Sequence, residues 1–155
     1  MPVLGLAFLI GVVAGLRAFT APAAVSWAAA LGWIHLEDSW LAFLGYRFTP
    51  YVFTILAAAE LVTDQLPSTP SRKVPQQFGA RIVSGALCGA ALGISGGSWI
   101  GGLVAGVLGA VAGTLGGAEA RARLVAAIGG WDLPIALLED AVAVFGGLAI
   151  VMAAR

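Results

Sequence analysis

Six charged residues lie inside apolar segments of this 155-residue sequence, where each charge needs either a partner or water. They are Arg17, Glu60, Asp64, Arg81, Glu139 and Asp140. A charge at the centre of a bilayer costs at least about 2.5–3.5 kcal/mol on insertion scales, so such groups pair with one another or line a water-filled path. Sealed pairs would only hold helices together, whereas wetted groups would bind an ion, a proton or a small substrate.

Two of these carboxylates share a helix face. Glu60 and Asp64 are four residues apart, the spacing that places side chains one above the other on a helix. In a transport site, Arg17 and Arg81 would be the groups that interact with anions. The four carboxylates would carry protons or cations.

A second candidate site is the proline-rich segment 64–73, which reads DQLPSTPSRK. Hydroxyls and cations of this kind can hold a phosphate or a lipid headgroup. The candidate contacts are Ser68, Thr69, Ser71, Arg72 and Lys73. The alternative is a rigid cytoplasmic turn that lies beside anionic lipid.

The composition indicates which solvent surrounds these residues. The chain is 60% hydrophobic and 10% charged, whereas soluble domains are nearer 45–50% apolar and 25% charged. A soluble protein this apolar could not cover its surface with polar groups, so the sequence predicts a helical membrane protein. The length fits one transmembrane domain over residues 1–155.

Five apolar stretches have roughly the length that crosses a bilayer. They are residues 3–33, 51–66, 78–94, 99–118 and 133–154. The first is long enough to be kinked at Pro22 or split into two half-helices. Two short loops, over residues 65–77 and 119–130, each carry a pair of basic residues and should therefore face the cytoplasm. The second of them is expected to form a short interfacial helix. Five spans put the N-terminus inside, but a broken hairpin at the start would put it outside.

Glycines recur at helical spacing in the third and fourth spans. They are Gly85, Gly89 and Gly93, followed by Gly102, Gly106, Gly109, Gly113 and Gly117. Faces without side chains let helix backbones approach closely, so we expect a glycine-zipper hairpin between these spans. The same faces could instead form a subunit interface or line a narrow pore.

Other classes of function find no support in the sequence. The net charge is zero, with no basic face for nucleic acid, and the single histidine, His35, has no ligand cluster around it. We therefore expect no metal, no cofactor and no nucleic-acid partner. Nucleophile and phosphate-loop motifs of enzymes are also missing, so we expect no enzyme.

Three segments together resemble a family of small bacterial membrane proteins that is defined only as a domain of unknown function. These segments are GLRAFTAP (15–22), AELVTDQLPSTPSR (59–72) and LEDA (138–141). The resemblance extends over nearly the whole chain. It implies a multi-pass protein of the bacterial inner membrane but no particular activity.

These observations lead to an all-α transmembrane bundle of about five spans, with three hypotheses for its function. The first is a small transporter or channel with an arginine–carboxylate site. The second is a protein that binds or handles lipid headgroups, and the third is a structural scaffold. So short a chain has few helices with which to enclose a path, so a homo-oligomer surrounded by membrane lipids is expected.

Overall fold

The computed structural model describes residues 3–155, and every regular element in that range is helical. The helices are α1 (Val3–Leu16), α2 (Thr20–Ala30), α3 (Thr49–Thr63), α4 (Pro75–Ser95), α5 (Trp99–Ala127) and α6 (Asp132–Ala153), with one short 3-10 helix at Ala42–Gly45. Helices α4, α5 and α6 are long and apolar enough to cross a membrane, while α1 and α3 are apolar but shorter. The prediction of a helical membrane bundle is thus confirmed.

The first apolar stretch is two helices that reverse direction at residues 17–19. Helix α1 begins beside the α4–α5 turn, where Val3 contacts Gly96. The chain after α2 returns to the same end of the bundle, because the Trp33 ring lies 5.6 Å from the guanidinium of Arg155, just beyond α6. Helices α1 and α2 therefore form a hairpin. Helix α1 begins and α2 ends at the same end of the bundle, here called the turn end.

Neither arm of this hairpin is long enough to cross a bilayer. At 1.5 Å per residue, α1 and α2 measure roughly 21 and 17 Å, against about 30 Å of hydrocarbon. Residues 17–19, here called the tip, consequently lie inside the bundle. Pro22 lies in the first turn of α2, where the missing N–H is tolerated, so it does not cause the break.

Glycines bring three helices into backbone contact around the hairpin. A Cβ on Gly89 of α4 would lie 2.7 Å from the Cα of Gly106 in α5, and one on Gly15 of α1 would lie 2.8 Å from the Cα of Gly113. These separations leave no room for side chains. The glycines at these contacts are therefore used within one chain, between α1, α4 and α5.

Residues 64–74 and 128–131 join helices at the opposite end of the bundle, here called the loop end. The predicted interfacial helix over 119–130 is wrong, because α5 continues without a break to Ala127. It is followed by Gly129 and Gly130, whose φ values of 83° and 91° do not continue a helix. Helix α4 begins at Pro75, three residues before the predicted span.

The turn end is covered by residues 31–48. Four apolar side chains of this segment, Ile34, Leu36, Leu41 and Leu44, are buried in the same core as α1 and α2. Large apolar side chains on the outer faces of α3, α5 and α6 remain exposed, as a lipid-facing surface requires.

Candidate functional site

Arg17 occupies the tip of the hairpin and is completely buried. Its Nε donates a hydrogen bond of 2.6 Å to Asp140 Oδ1, and its Nη1 donates one of 2.7 Å to Asp64 Oδ2. Its Nη2 lies 2.6 Å from Asp140 Oδ1 and 3.6 Å from Glu139. One guanidinium thus ties the tip to α6 and to the residue that follows α3.

The backbone of the tip is satisfied by side chains from three other helices. The amides of Ala18 and Phe19 donate hydrogen bonds of 2.7 and 2.8 Å to the two carboxylate oxygens of Glu60. The hydroxyl of Ser84 donates to the Ala18 carbonyl at 2.5 Å, and that of Thr114 to the Gly15 carbonyl at 3.2 Å. Non-helical backbone at membrane depth is tolerated only with such partners.

Arg81 lies beside the same carboxylates but is held less tightly. Its Nη1 donates to the side chain of Gln77 at 2.9 Å, and its Nη2 lies 3.5 and 3.6 Å from Asp64 and Glu60. Its Nε has no hydrogen-bond acceptor within residues 3–155, although only 1% of the residue is exposed.

Two further ion pairs surround this centre at the loop end. Arg72 makes a two-pronged pair with Glu139, at 2.6 and 2.9 Å. Arg121 makes a similar pair with Asp132, at 2.9 and 2.6 Å, and also reaches Glu139 at 3.3 Å. The loop is in this way fastened to α6, and α5 is fastened to the start of α6.

The buried groups do not balance in charge. We call them the charge network: Glu60, Asp64, Glu139 and Asp140 with Arg17, Arg72 and Arg81. Four carboxylates face three guanidinium groups within this set, and the adjoining Arg121 divides its contacts between Glu139 and the half-exposed Asp132. One negative charge is therefore in excess when every group is ionised.

Two cavities at the loop end border the charge network. The larger, of about 690 Å³, is lined by Asp64, Arg72, Arg81, Arg121 and Asp132 together with loop residues. The second, of about 540 Å³, is lined by Glu60, Asp64, Gln76, Gln77 and the tip residues Ala18 and Phe19. Asp64 borders both cavities, so the carboxylates beside the tip can be reached from this end.

All six predicted intramembrane charges meet in this one network. The predicted phosphate loop is arranged differently, because Arg72 points inward to Glu139 and the Thr69 hydroxyl donates to the carbonyl of Thr63. Ser71 accepts a hydrogen bond from the Lys73 amide. Ser68 and Thr69 border the smaller cavity and Ser71 the larger, so these hydroxyl residues lie over the network.

Sequence reasoning did not find several members of the site. Arg121 contacts the predicted carboxylate Glu139, and Gln65 donates a hydrogen bond of 3.1 Å to Asp140. Asp132 belongs to the site through its pair with Arg121. One signal was available for Arg121, which lies one helical turn after Gly117 on the glycine-bearing helix. No group of three potential metal-binding side chains is present among residues 3–155.

Comparison with known proteins gives no relative from which a role could be transferred. No family model matches the chain, and searches of curated proteins and of solved structures find no match either.

Proposed function

We propose that this protein is a small membrane transporter whose charge network, at the tip of the hairpin, binds the transported ion or solute. The observation that carries the proposal is the combination of a buried, unbalanced charge network with cavities that reach it from the loop end. At the turn end, the buried side chains of residues 31–48 cover the hairpin. A site open to one side and closed to the other is what alternating access requires.

The excess negative charge supports exchange of a proton or a monovalent cation. A net charge in a low-dielectric interior is costly, so a bound cation would stabilise the network. Glu60 is the group we assign to this exchange, because it borders the smaller cavity and contacts the tip backbone directly. Movement of the tip would then depend on what Glu60 binds.

The proposed topology has three full-length crossings, by α4, α5 and α6, and one re-entrant hairpin, instead of five spans. A fourth crossing combines the shorter α3 with the segment 64–74 that continues it to the loop end. The loop end carries Arg72, Lys73, Arg121 and Arg123, so it faces the cytoplasm in our proposal. The resemblance to small bacterial membrane proteins supports the inner membrane as the location. The close α4–α5 contact would act as the expected glycine zipper. Because these glycines are used within one chain, the subunit interface of a homo-oligomer would be formed by other residues.

Two alternatives predict different behaviour. In a structural scaffold, every charge would serve only to hold helices, as the tight contacts of Arg17 do. In a lipid-handling protein, the loop hydroxyls and Lys73 would contact headgroups at the loop end. The first alternative predicts no flux at all, and the second predicts movement of lipids and not of small solutes.

Flux measurements in proteoliposomes test the proposal. Wild-type protein should catalyse uptake of protons, Na⁺, K⁺ or a small organic anion, measured with entrapped dyes and radiolabelled solutes. Glu60→Gln should abolish this flux while the protein stays folded. Glu119→Gln is the matched control, since it makes the same change in an exposed pair with Arg123.

Two outcomes contradict the proposal. Wild-type vesicles that remain impermeable to all of these probes would exclude transport of the classes tested. Equal flux from Glu60→Gln and wild type would remove Glu60 from the mechanism.

A further inference from the structure

The two central arginines differ in how completely their donors are used. Arg17 donates hydrogen bonds of 2.6 and 2.7 Å to carboxylates from Nε and Nη1. Its Nη2 makes no hydrogen bond within the described chain but still lies 2.6 Å from the Asp140 carboxylate. The guanidinium group of Arg81 makes one short hydrogen bond to a side chain, that of Gln77. The buried Nε of Arg81 has no acceptor within the described chain. A buried guanidinium N–H without a partner is unfavourable, so it is a place where a ligand oxygen would be stabilised.

The surroundings of Arg81 favour an anion. Arg81 lines the 690 Å³ cavity together with Arg72 and Arg121. Asp64 and Asp132 also line it, so three guanidinium groups oppose two carboxylates on its wall. Glu60, Glu139 and Asp140 do not belong to the lining, and the excess negative charge of the network is therefore partly kept from the cavity.

We infer that this cavity binds a small oxyanion, a carboxylate or a phosphate, and that Arg81 recognises it through its free Nε. Arg17 is then the fixed pin of the tip, and Arg81 is the ligand-binding arginine. Guanidinium groups suit this task because they present parallel N–H donors to two oxygens of one anion. The inference adds an oxyanion, bound in the larger cavity, to the proton or cation proposed for Glu60, and it rests on the proposed transporter only for the role of the anion in transport.

Calorimetric titration of the purified protein in detergent tests the inference. The probes are sodium phosphate and sodium succinate, with sodium chloride at equal ionic strength as the reference. We expect saturable binding of at least one oxyanion. Arg81→Lys keeps the charge but removes Nε, and should weaken that binding about tenfold or more. Arg123→Lys makes the same change on an exposed helix face and should bind like wild type.

A charge-balanced variant guards against loss of folding. Glu60→Gln combined with Arg81→Gln removes one charge of each sign, and the glutamine at position 60 can still accept one hydrogen bond from the tip. Thermal unfolding verifies that each variant is folded before titration, and the double variant should also lose oxyanion binding.

Phosphatidylglycerol, titrated into the same micelles, separates a lipid phosphate from a free anion. Arg81-dependent binding of this lipid, competing with succinate, would support the oxyanion site with a headgroup as its ligand. The inference would be overturned if phosphate, succinate and the lipid all failed to bind saturably. It would also be overturned if Arg81→Lys and wild type bound the oxyanion with equal affinity. Binding without flux would instead reject transport and leave the anion site standing.

Discussion

At the scale of residues, burial of the hairpin tip depends on the ion pairs of Arg17. This residue is the shared partner of Asp64 and Asp140, and no part of it is exposed. Removing one partner of a buried ion pair costs more free energy than the intact pair contributes to stability. The reason is that the remaining charge still carries its desolvation penalty. Arg17 thus determines whether the tip can be buried.

Replacing Arg17 with glutamine should therefore damage folding more than function. Breaking a buried pair costs about 3–5 kcal/mol, so we expect Arg17→Gln to unfold at a much lower temperature in detergent or to fail to accumulate. Adding Asp140→Asn should restore part of the loss, since Asp140 has no ion pair within residues 3–155 except that with Arg17, whereas Asp64 keeps its contact with Arg81.

Arg123→Gln provides the comparison for this prediction. Arg123 is exposed and pairs only with Glu119, four residues earlier on α5. Such surface pairs contribute about 0.3–0.5 kcal/mol, so thermal unfolding should hardly change. Similar stability for Arg17→Gln and Arg123→Gln would show that the tip does not need its guanidinium.

At the scale of helices, close backbone contact holds the first arm of the hairpin in place. Gly106 is the centre of this arrangement, because a Cβ there would meet Gly89 of α4, and one on Gly11 of α1 would in turn meet Gly106. Packing of this kind works in lipid, where helices gain no hydrophobic driving force from one another. The orientation of the hairpin follows from these glycines.

Substituting alanine at Gly106 should separate α1, α4 and α5. A single added methyl meets backbone there, and overpacking typically costs about 1–3 kcal/mol. Gly116→Ala is the matched control on the same helix, since nothing lies within 4 Å of its added Cβ. We expect the control to be as stable as wild type or up to about 1 kcal/mol more stable. Equal thermal unfolding of both variants would mean that the close contacts are incidental.

At the scale of the whole molecule, both ends of the first apolar stretch lie at the turn end. In a Cys88→Ala background, single cysteines at Leu4 and Leu31 should react with a membrane-impermeant reagent from one side. A cysteine at Lys73 should react only from the other side. Labelling of positions 4 and 31 from opposite sides would instead make the stretch a single span.

Much of this architecture could be predicted from composition, but the broken hairpin was only one alternative for the first apolar stretch, and its reversal at residues 17–19 could not be located. The apolar content and the basic loops predicted a helical membrane bundle, and the charges of α3, α4 and α6 were placed at one level. Arg17, Ala18 and Phe19 include none of the glycine, proline or asparagine typical of a turn. Their conformation is held by Glu60, Ser84 and Thr114, which come from distant parts of the sequence, so local patterns could not indicate it.

The partners of the tip also determine the order in which the protein can be assembled. The hairpin is synthesised before α6, yet its arginine pairs with Asp140, which leaves the ribosome 123 residues later. Until α6 is present, neither short arm can bury its tip in lipid at low cost. We therefore expect the hairpin to reach its buried position in the bilayer only after α6 has been synthesised.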